Sequence, residues 1–175
     1  MSFSKLSAER YSVRKFMDKL VEKNMILSVL EAGRIAPTAA NRQPQRILVI
    51  TSPEGLAKVD ACTIYRFEAP VVFLICYDNA VCWRRPFDKV DSGQIDSSIV
   101  TTQMMLQATD IGLGTTWVMN FDPEKMRSLF CIPDNIIPVT MLVMGYPAED
   151  AAPAARHYEK KELSKIVIYD SFPGV

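Results

Sequence analysis

The sequence predicts an α+β fold of mixed α/β character, with a central mixed sheet flanked by helices in one domain over residues 1–175. Three observations lead there. Helical and strand-like patterns alternate between residues 18 and 144 without a tight-hairpin signal, which favours a layered fold over a β-sandwich. Two strongly apolar runs, residues 69–76 and 136–144, fall far short of the roughly 20 residues that span a bilayer and read as buried strands. Hydrophobic residues make up 49% of the 175, enough for one substantial core.

The elements follow in order. Asp18 is expected to cap a helix over residues 18–36, with Leu20, Val21, Met25, Val29, Leu30 and Ile35 on one stripe, and Pro37 ends it. Residues 46–51 read as a strand, and Ser52 with Pro53 as the cap and first position of a short helix. Residues 70–77 form a central strand. Residues 79–93, with Trp83, Arg84, Arg85 and Phe87, lack a clear period and read as a loop or lid. Residues 96–111 form a helix whose apolar members, among them Ile99, Val100, Met104 and Leu106, cover more than one face and need burial on several sides. Gly112 reads as its C-cap and Gly114 as the start of a strand over 115–119. Asp122 caps a helix to Leu129, and residues 139–144 form a further buried strand. The Ala- and Pro-rich stretch 148–155 reads as a tether carrying a final segment, 163–169, away from the core.

Composition excludes several functions. A formal net charge of zero gives no electrostatic case for nucleic acid or an acidic membrane surface. Cys62, Cys76, Cys82 and Cys131 form no Cys-x-x-Cys pair and read as reduced, structural thiols. With the absence of an apolar secretory stretch at the N-terminus, they point to the cytoplasm. His157 is the only histidine, so no histidine-rich zinc site can be built, and this residue reads as a surface histidine in the tail. An enzyme of this composition needs a bound cofactor to carry its chemistry.

Arg10, Ser12 and Arg14 stand at alternate positions and share one face of an extended segment. Two guanidinium forks flanking a hydroxyl suit a phosphate monoester, although a solvated basic face is the bland alternative. Gly112-Leu113-Gly114 lacks the third glycine of a dinucleotide fingerprint and follows a helix instead of opening one. A nicotinamide would therefore visit another cofactor's site and have no dedicated domain.

Glu9 to Phe16, Ala36 to Pro44, Asp96-Ser97-Ser98-Ile99, Gly112 to Val118, Gly145-Tyr146-Pro147 and Lys160 to Leu163 together resemble the FMN-dependent nitroreductase family, in the same order and over residues 6–169. The resemblance implies a nitroreductase-like FMN-binding fold, a homodimer with FMN at the subunit interface, the 96–111 helix in that interface, and a C-terminal tail wrapping onto the partner subunit. It matches Arg10, Tyr11, Ser12 and Arg14 to a cofactor-binding motif, with Arg10 and Ser12 at the phosphate and ribityl end and Arg14 beside the flavin pyrimidine edge, as electrostatic stabiliser. Pro37, Thr38, Ala39 and Asn41 match a loop that reaches the isoalloxazine from the other subunit. Met119 and Asn120 follow the strand that offers a backbone N–H to flavin N5, and Lys160 matches a phosphate-binding arginine. Three positions depart from the family pattern: Tyr11 stands for arginine or histidine, Gln45 for tryptophan, and Lys160 keeps the charge without the fork.

The implied activity is NAD(P)H oxidation through FMN by a ping-pong scheme, with a quinone, nitroaromatic or similar small molecule as electron acceptor. No protein acid or base stands out, and no catalytic side chain or metal is assigned. Two other readings share these features: a flavoenzyme acting on a specific metabolite, for which Trp83, Arg84, Arg85 and Phe87 would shape the acceptor pocket, and a non-catalytic FMN store or redox sensor. Fold and cofactor do not separate them.

Overall fold

The computed structural model describes residues 2–172. In chain order, helices α1 (Phe3–Glu9), α2 (Lys23–Arg34), α3 (Pro53–Asp60), α4 (Gly93–Asp110) and α5 (Pro123–Leu129) interleave with strands β1 (Gln45–Ile50), β2 (Val71–Asp78), β3 (Gly114–Val118) and β4 (Ile136–Gly145). The sheet order is β1-β2-β4-β3, and every neighbouring pair of these strands is antiparallel. Among the described residues the expected mixed character survives only in a one-residue parallel bridge between Ser12 and Thr115. Alternating strands and helices usually announce parallel crossovers. Here they do not, because β1 pairs directly with β2 and β3 with β4 although a helix separates each pair in sequence.

The strand β2 is apolar without alternation because both of its faces are covered. Val71, Phe73 and Ile75 enter one buried cluster with Val29, Val100, Met104 and Leu142, beneath α2 and α4. Val72, Leu74 and Cys76 enter a second with Val59, Met126, Met141 and Val143, beneath α3 and α5. The period of two along the strand thus sorts residues between two helical layers and not between core and water. The register of β2 on β4 shifts between Ile75 and Cys76, whose partners are Thr140 and Pro138. A proline lacks the ladder donor and is accommodated at such a bulge.

Several boundaries moved. The helix expected from Asp18 starts at Lys23, and Leu20, assigned to its buried stripe, is 83% exposed. Residues 17–22 are instead tied to the end of β4: the Met17 N–H donates to the Tyr146 carbonyl at 2.9 Å, and the Tyr146 hydroxyl donates to the Glu22 carboxylate. That bond holds the Glu22 carboxyl below its usual range, and Lys19 sits 3.8 Å over the Tyr146 ring. α4 begins one turn before Asp96, and Gly93 packs so closely on Tyr77 that a Cβ there would lie 2.1 Å from its ring. Ser52 and Asp122 cap as expected, accepting from the Gly55 N–H at 3.1 Å and the Lys125 N–H at 2.9 Å. Gly112 ends α4 at φ 84°, in the left-handed region.

Among the described residues no helix is long and apolar enough to cross a membrane. The loop 79–93 is held by its own charges, Arg84 with Asp91 and Arg85 with Asp88, and Phe87 at its tip is 95% exposed.

Candidate functional site

Residues 11–16 run extended beside β3. The Val13 N–H donates to the Thr115 carbonyl at 2.9 Å, and the Thr116 hydroxyl donates to the Val13 carbonyl. Val13 is the inward residue, 2% exposed, which turns Ser12 and Arg14 outward as the alternation required. Arg10, Tyr11, Ser12 and Arg14 meet Arg156, His157 and Lys160 around a cavity of about 270 Å³. Tyr11 breaks the strict alternation. Its hydroxyl donates to the Ala151 carbonyl at 3.2 Å, and its ring meets His157 edge to face with centroids 6.3 Å apart.

The tail closes this cavity. The Ala148 N–H donates to the Lys15 carbonyl at 3.0 Å, Lys15 pairs with Asp150, and a 3-10 turn at Ala155–His157 returns the chain to Tyr11. The stretch 148–155, expected as a tether, is therefore docked along residues 11–15 at its start. Beyond Lys160 the chain leaves the core: Leu163, Ile166, Ile168, Tyr169 and Phe172 are all at least half exposed. His157 is half-buried and lines the cavity, which corrects its reading as a surface histidine.

Charge in this cavity is unbalanced. Among the described residues, Arg10, Arg14, Arg156 and Lys160 form no ion pair, whereas Lys15, Arg46, Arg66, Arg84 and Arg85 each hold a carboxylate. The partners of the cavity's cations are weak or neutral acceptors: Arg10 reaches the Met105 sulfur at 3.9 Å, Arg14 the Ser12 carbonyl at 3.3 Å, and Lys160 the His157 carbonyl. Cations gathered without carboxylates leave their donors available to an anion.

Arg14 also lines a second cavity, of about 330 Å³, with Tyr65, Phe67, Trp117, Met119 and Asn120. Tyr65, Phe67 and Trp117 give it three aromatic walls, and Met119 is 70% exposed. Two walls are tied together by Thr63, whose hydroxyl donates to the Asn120 carbonyl at 2.6 Å and accepts from the Tyr65 N–H at 3.1 Å. Sequence reading missed Tyr65 and Phe67. Their only signal was two aromatics just before a strand, and the left-handed backbone of Phe67 and Glu68, φ 56° and 58°, is invisible in residues of that type.

Pro37, Thr38, Ala39 and Asn41 lie apart from both cavities in this chain. Pro37 instead borders a groove of about 660 Å³ with Phe3 and the Ile95, Ile99 and Leu106 face of α4. The loop is strained, with Ala40, Asn41 and Gln43 at φ 49°, 51° and 50°. Thr38 accepts the Gln43 N–H at 3.1 Å, and Asp96 accepts the Ala39 N–H at 2.8 Å.

No cluster of metal-ligating side chains occurs among the described residues. Cys62, Cys76 and Cys82 are buried and Cys131 is exposed, all unpaired. Burial pushes the Cys76 thiol up to about 12, which removes it as a nucleophile near neutral pH.

Comparison with known proteins gives this arrangement a context. The sequence profile of the Nitroreductase family matches residues 8–68 and 65–146. A nitroreductase family protein of Clostridium difficile is 43% identical and superposes with a TM-score of 0.93, over 98% of this chain and 100% of that one. A Thermus thermophilus protein named NADH dehydrogenase is 26% identical over 85% of this chain and 88% of its own length. A crystal structure described as an oxidoreductase containing FMN shares the fold, with a TM-score of 0.82 at 17% identity, over 100% of this chain and 95% of that one. With the family profile covering most of its length and this fold beneath it, the chain belongs to the nitroreductase family.

Proposed function

We propose that this chain is an FMN-dependent NAD(P)H oxidoreductase of the nitroreductase type, working as a homodimer on a quinone, nitroaromatic or similar acceptor. The observation that carries the reading is the carboxylate-free basic cavity joined through Arg14 to an aromatic one. A phosphate monoester carries nearly two negative charges at neutral pH, and the first cavity offers Arg10, Ser12, Arg156 and Lys160 to it. A planar ring system suits the second, where Tyr65, Phe67 and Trp117 exclude water and Arg14 sets positive charge at the rim. The residues present therefore fit FMN. When bound, it supplies the two-electron relay between a nicotinamide and an acceptor. The names of the relatives agree with this chemistry.

The homodimer is part of the same proposal. Pro37 to Asn41 do not face the cavities of their own chain, so a second copy would have to bring them there. The apolar groove along α4 and the exposed Leu163, Ile166 and Tyr169 are the surfaces such a copy would cover. The cytoplasmic location expected from the cysteine pattern belongs to the proposal as well.

The test begins with the visible spectrum of the purified protein and identification of the released flavin, followed by anaerobic titration with NADH and with NADPH. FMN release and bleaching by at least one nicotinamide are expected. Finding FAD, or no flavin after reconstitution with FMN, would overturn the cofactor. Bound FMN without steady turnover on any quinone or nitroaromatic would overturn the enzyme and leave a binding protein. Light scattering should give a dimer at micromolar concentration, and truncation after Ala148 should weaken both dimer and FMN retention; an FMN-saturated monomer would contradict the assembly.

A further inference from the structure

We infer that Asp96 is a positioning residue for the cofactor-facing loop: from the first turns of α4 it clamps Ala39, and with it the conformation in which residues 37–41 meet the flavin. The inference rests on the FMN reading above and adds to it a residue that touches neither flavin nor substrate.

Asp96 is 1% exposed and has no cationic partner among the described residues. A buried carboxylate without a counter-charge is costly unless donors satisfy it. Its donors are specific. The Ser92 hydroxyl, itself on a residue 5% exposed, donates to one oxygen at 2.7 Å, and the Ala39 N–H donates to the other at 2.8 Å. The first bond is local, four residues along the chain; the second spans 57 residues and joins α4 to the loop.

That second bond lands where the loop needs it. Ala40 and Asn41 follow immediately with left-handed backbone, φ 49° and 51°, and Gln43 repeats it at 50°. Asparagine tolerates such angles, but Ala40 and Gln43 hold them only where their surroundings impose them. The loop's own contribution is modest: Thr38 accepts from Gln43, and the Asn41 N–H donates to the Thr38 carbonyl at 3.0 Å. Asp96 supplies the one charged acceptor. Because it stands on the helix whose outer face lines the Pro37 groove, the clamp also makes loop and proposed dimer face move as one body.

The test compares Asp96→Ala, Asp96→Asn and Ser92→Ala, each as the full-length protein, in binding of FMN and of riboflavin. Loss of the clamp acts at the ring end, so Asp96→Ala should weaken FMN and riboflavin alike by about tenfold or more, the size of one hydrogen bond to a charged group. Asp96→Asn keeps an oxygen for the Ala39 N–H and should restore both affinities to within about threefold. Hydrogen exchange at the Ala39 and Asn41 amides, read without flavin, should speed up in Asp96→Ala and return towards wild type in Asp96→Asn. Faster exchange confined to the loop amides marks loss of the clamp, whereas a general loss of packing would speed exchange along α4 as well. Should Asp96→Ala fail to fold, Ser92→Ala carries the test, with faster exchange at Ala39 and both flavins weakened by about threefold. Unchanged affinity for both flavins with unchanged exchange, in a wild type that binds FMN, would overturn the role of Asp96 alone; a wild type that binds neither flavin would overturn the FMN reading and this role with it.

Discussion

Replacing Arg10 with alanine tests the anion cavity with little collateral damage. Arg10 is half-buried, and among the described residues its side chain's one hydrogen bond is a weak donation to the Met105 sulfur at 3.9 Å. No ion pair is broken among the described residues, so the apoprotein should lose no more than about 0.5 kcal/mol, as for an ordinary surface substitution. The loss falls on the ligand. A hydrogen bond to a charged group contributes roughly 1.5–3 kcal/mol, and each ~1.4 kcal/mol is a factor of ten, so the FMN dissociation constant should rise by one to two powers of ten. Arg10→Lys keeps the charge but loses the fork and should fall between. Titration by flavin fluorescence quenching, repeated with riboflavin, separates the phosphate from the ring: riboflavin affinity should stay within about twofold. The wild-type advantage of FMN over riboflavin should also shrink as salt rises, since exposed charge pairs are screened within about 8 Å at 0.15 M. An unchanged FMN dissociation constant in Arg10→Ala, or an equal loss for riboflavin, would refute the assignment of this cavity to phosphate.

If nicotinamide and acceptor take turns at the same aromatic cavity, double-reciprocal plots at several acceptor concentrations should be parallel, and Arg14→Ala should slow flavin bleaching while FMN stays bound; intersecting lines would require a separate nicotinamide site. Gly112→Ala should destabilise the fold by about 1–2 kcal/mol through backbone conformation alone, because an added Cβ meets nothing within 4 Å; Gly112→Asn should cost less in the same urea titration, and an equal cost would point to packing. Asp78 accepts from the Asn135 side chain at 3.0 Å and from the Ala80 N–H at 3.0 Å, bonds that hold its carboxyl below the usual range. With the folded-state pKa depressed, its stabilisation is complete above the ordinary carboxylate value near pH ~4 and is lost as pH falls through the lower folded value. Asp78→Asn should therefore narrow the gap between urea midpoints at neutral and acid pH, and an unchanged gap would assign the acid loss elsewhere.

The chain's own residues determine its α+β class, the strands buried on both faces, the caps at Ser52 and Asp122, and the left-handed stop at Gly112. Each is a local or periodic property: a hydroxyl or carboxylate within reach of the next turn's amides, an apolar run of strand length, a residue without Cβ at positive φ. The set Arg10, Ser12 and Arg14 was legible for the same reason, since alternation along one segment needs no knowledge of what lies opposite. Antiparallel pairing was not legible, because hydrophobic pattern records that a strand is buried and not which way its neighbour runs. The false start of α2 at Asp18 has a tertiary cause: Tyr146, 124 residues distant from Glu22 in the chain, fixes residues that local pattern assigned to a helix. The same holds for the site. Arg156 and His157 join Arg10 only because the tail folds back on residues 11–15, Tyr65 and Phe67 face Trp117 only because Thr63 ties their loop to Asn120, and Asp96 finds Ala39 only across the packing of α4 on the preceding loop. Sequence carries what a residue can offer; which offers meet is decided by long-range contacts whose energy depends on the whole fold.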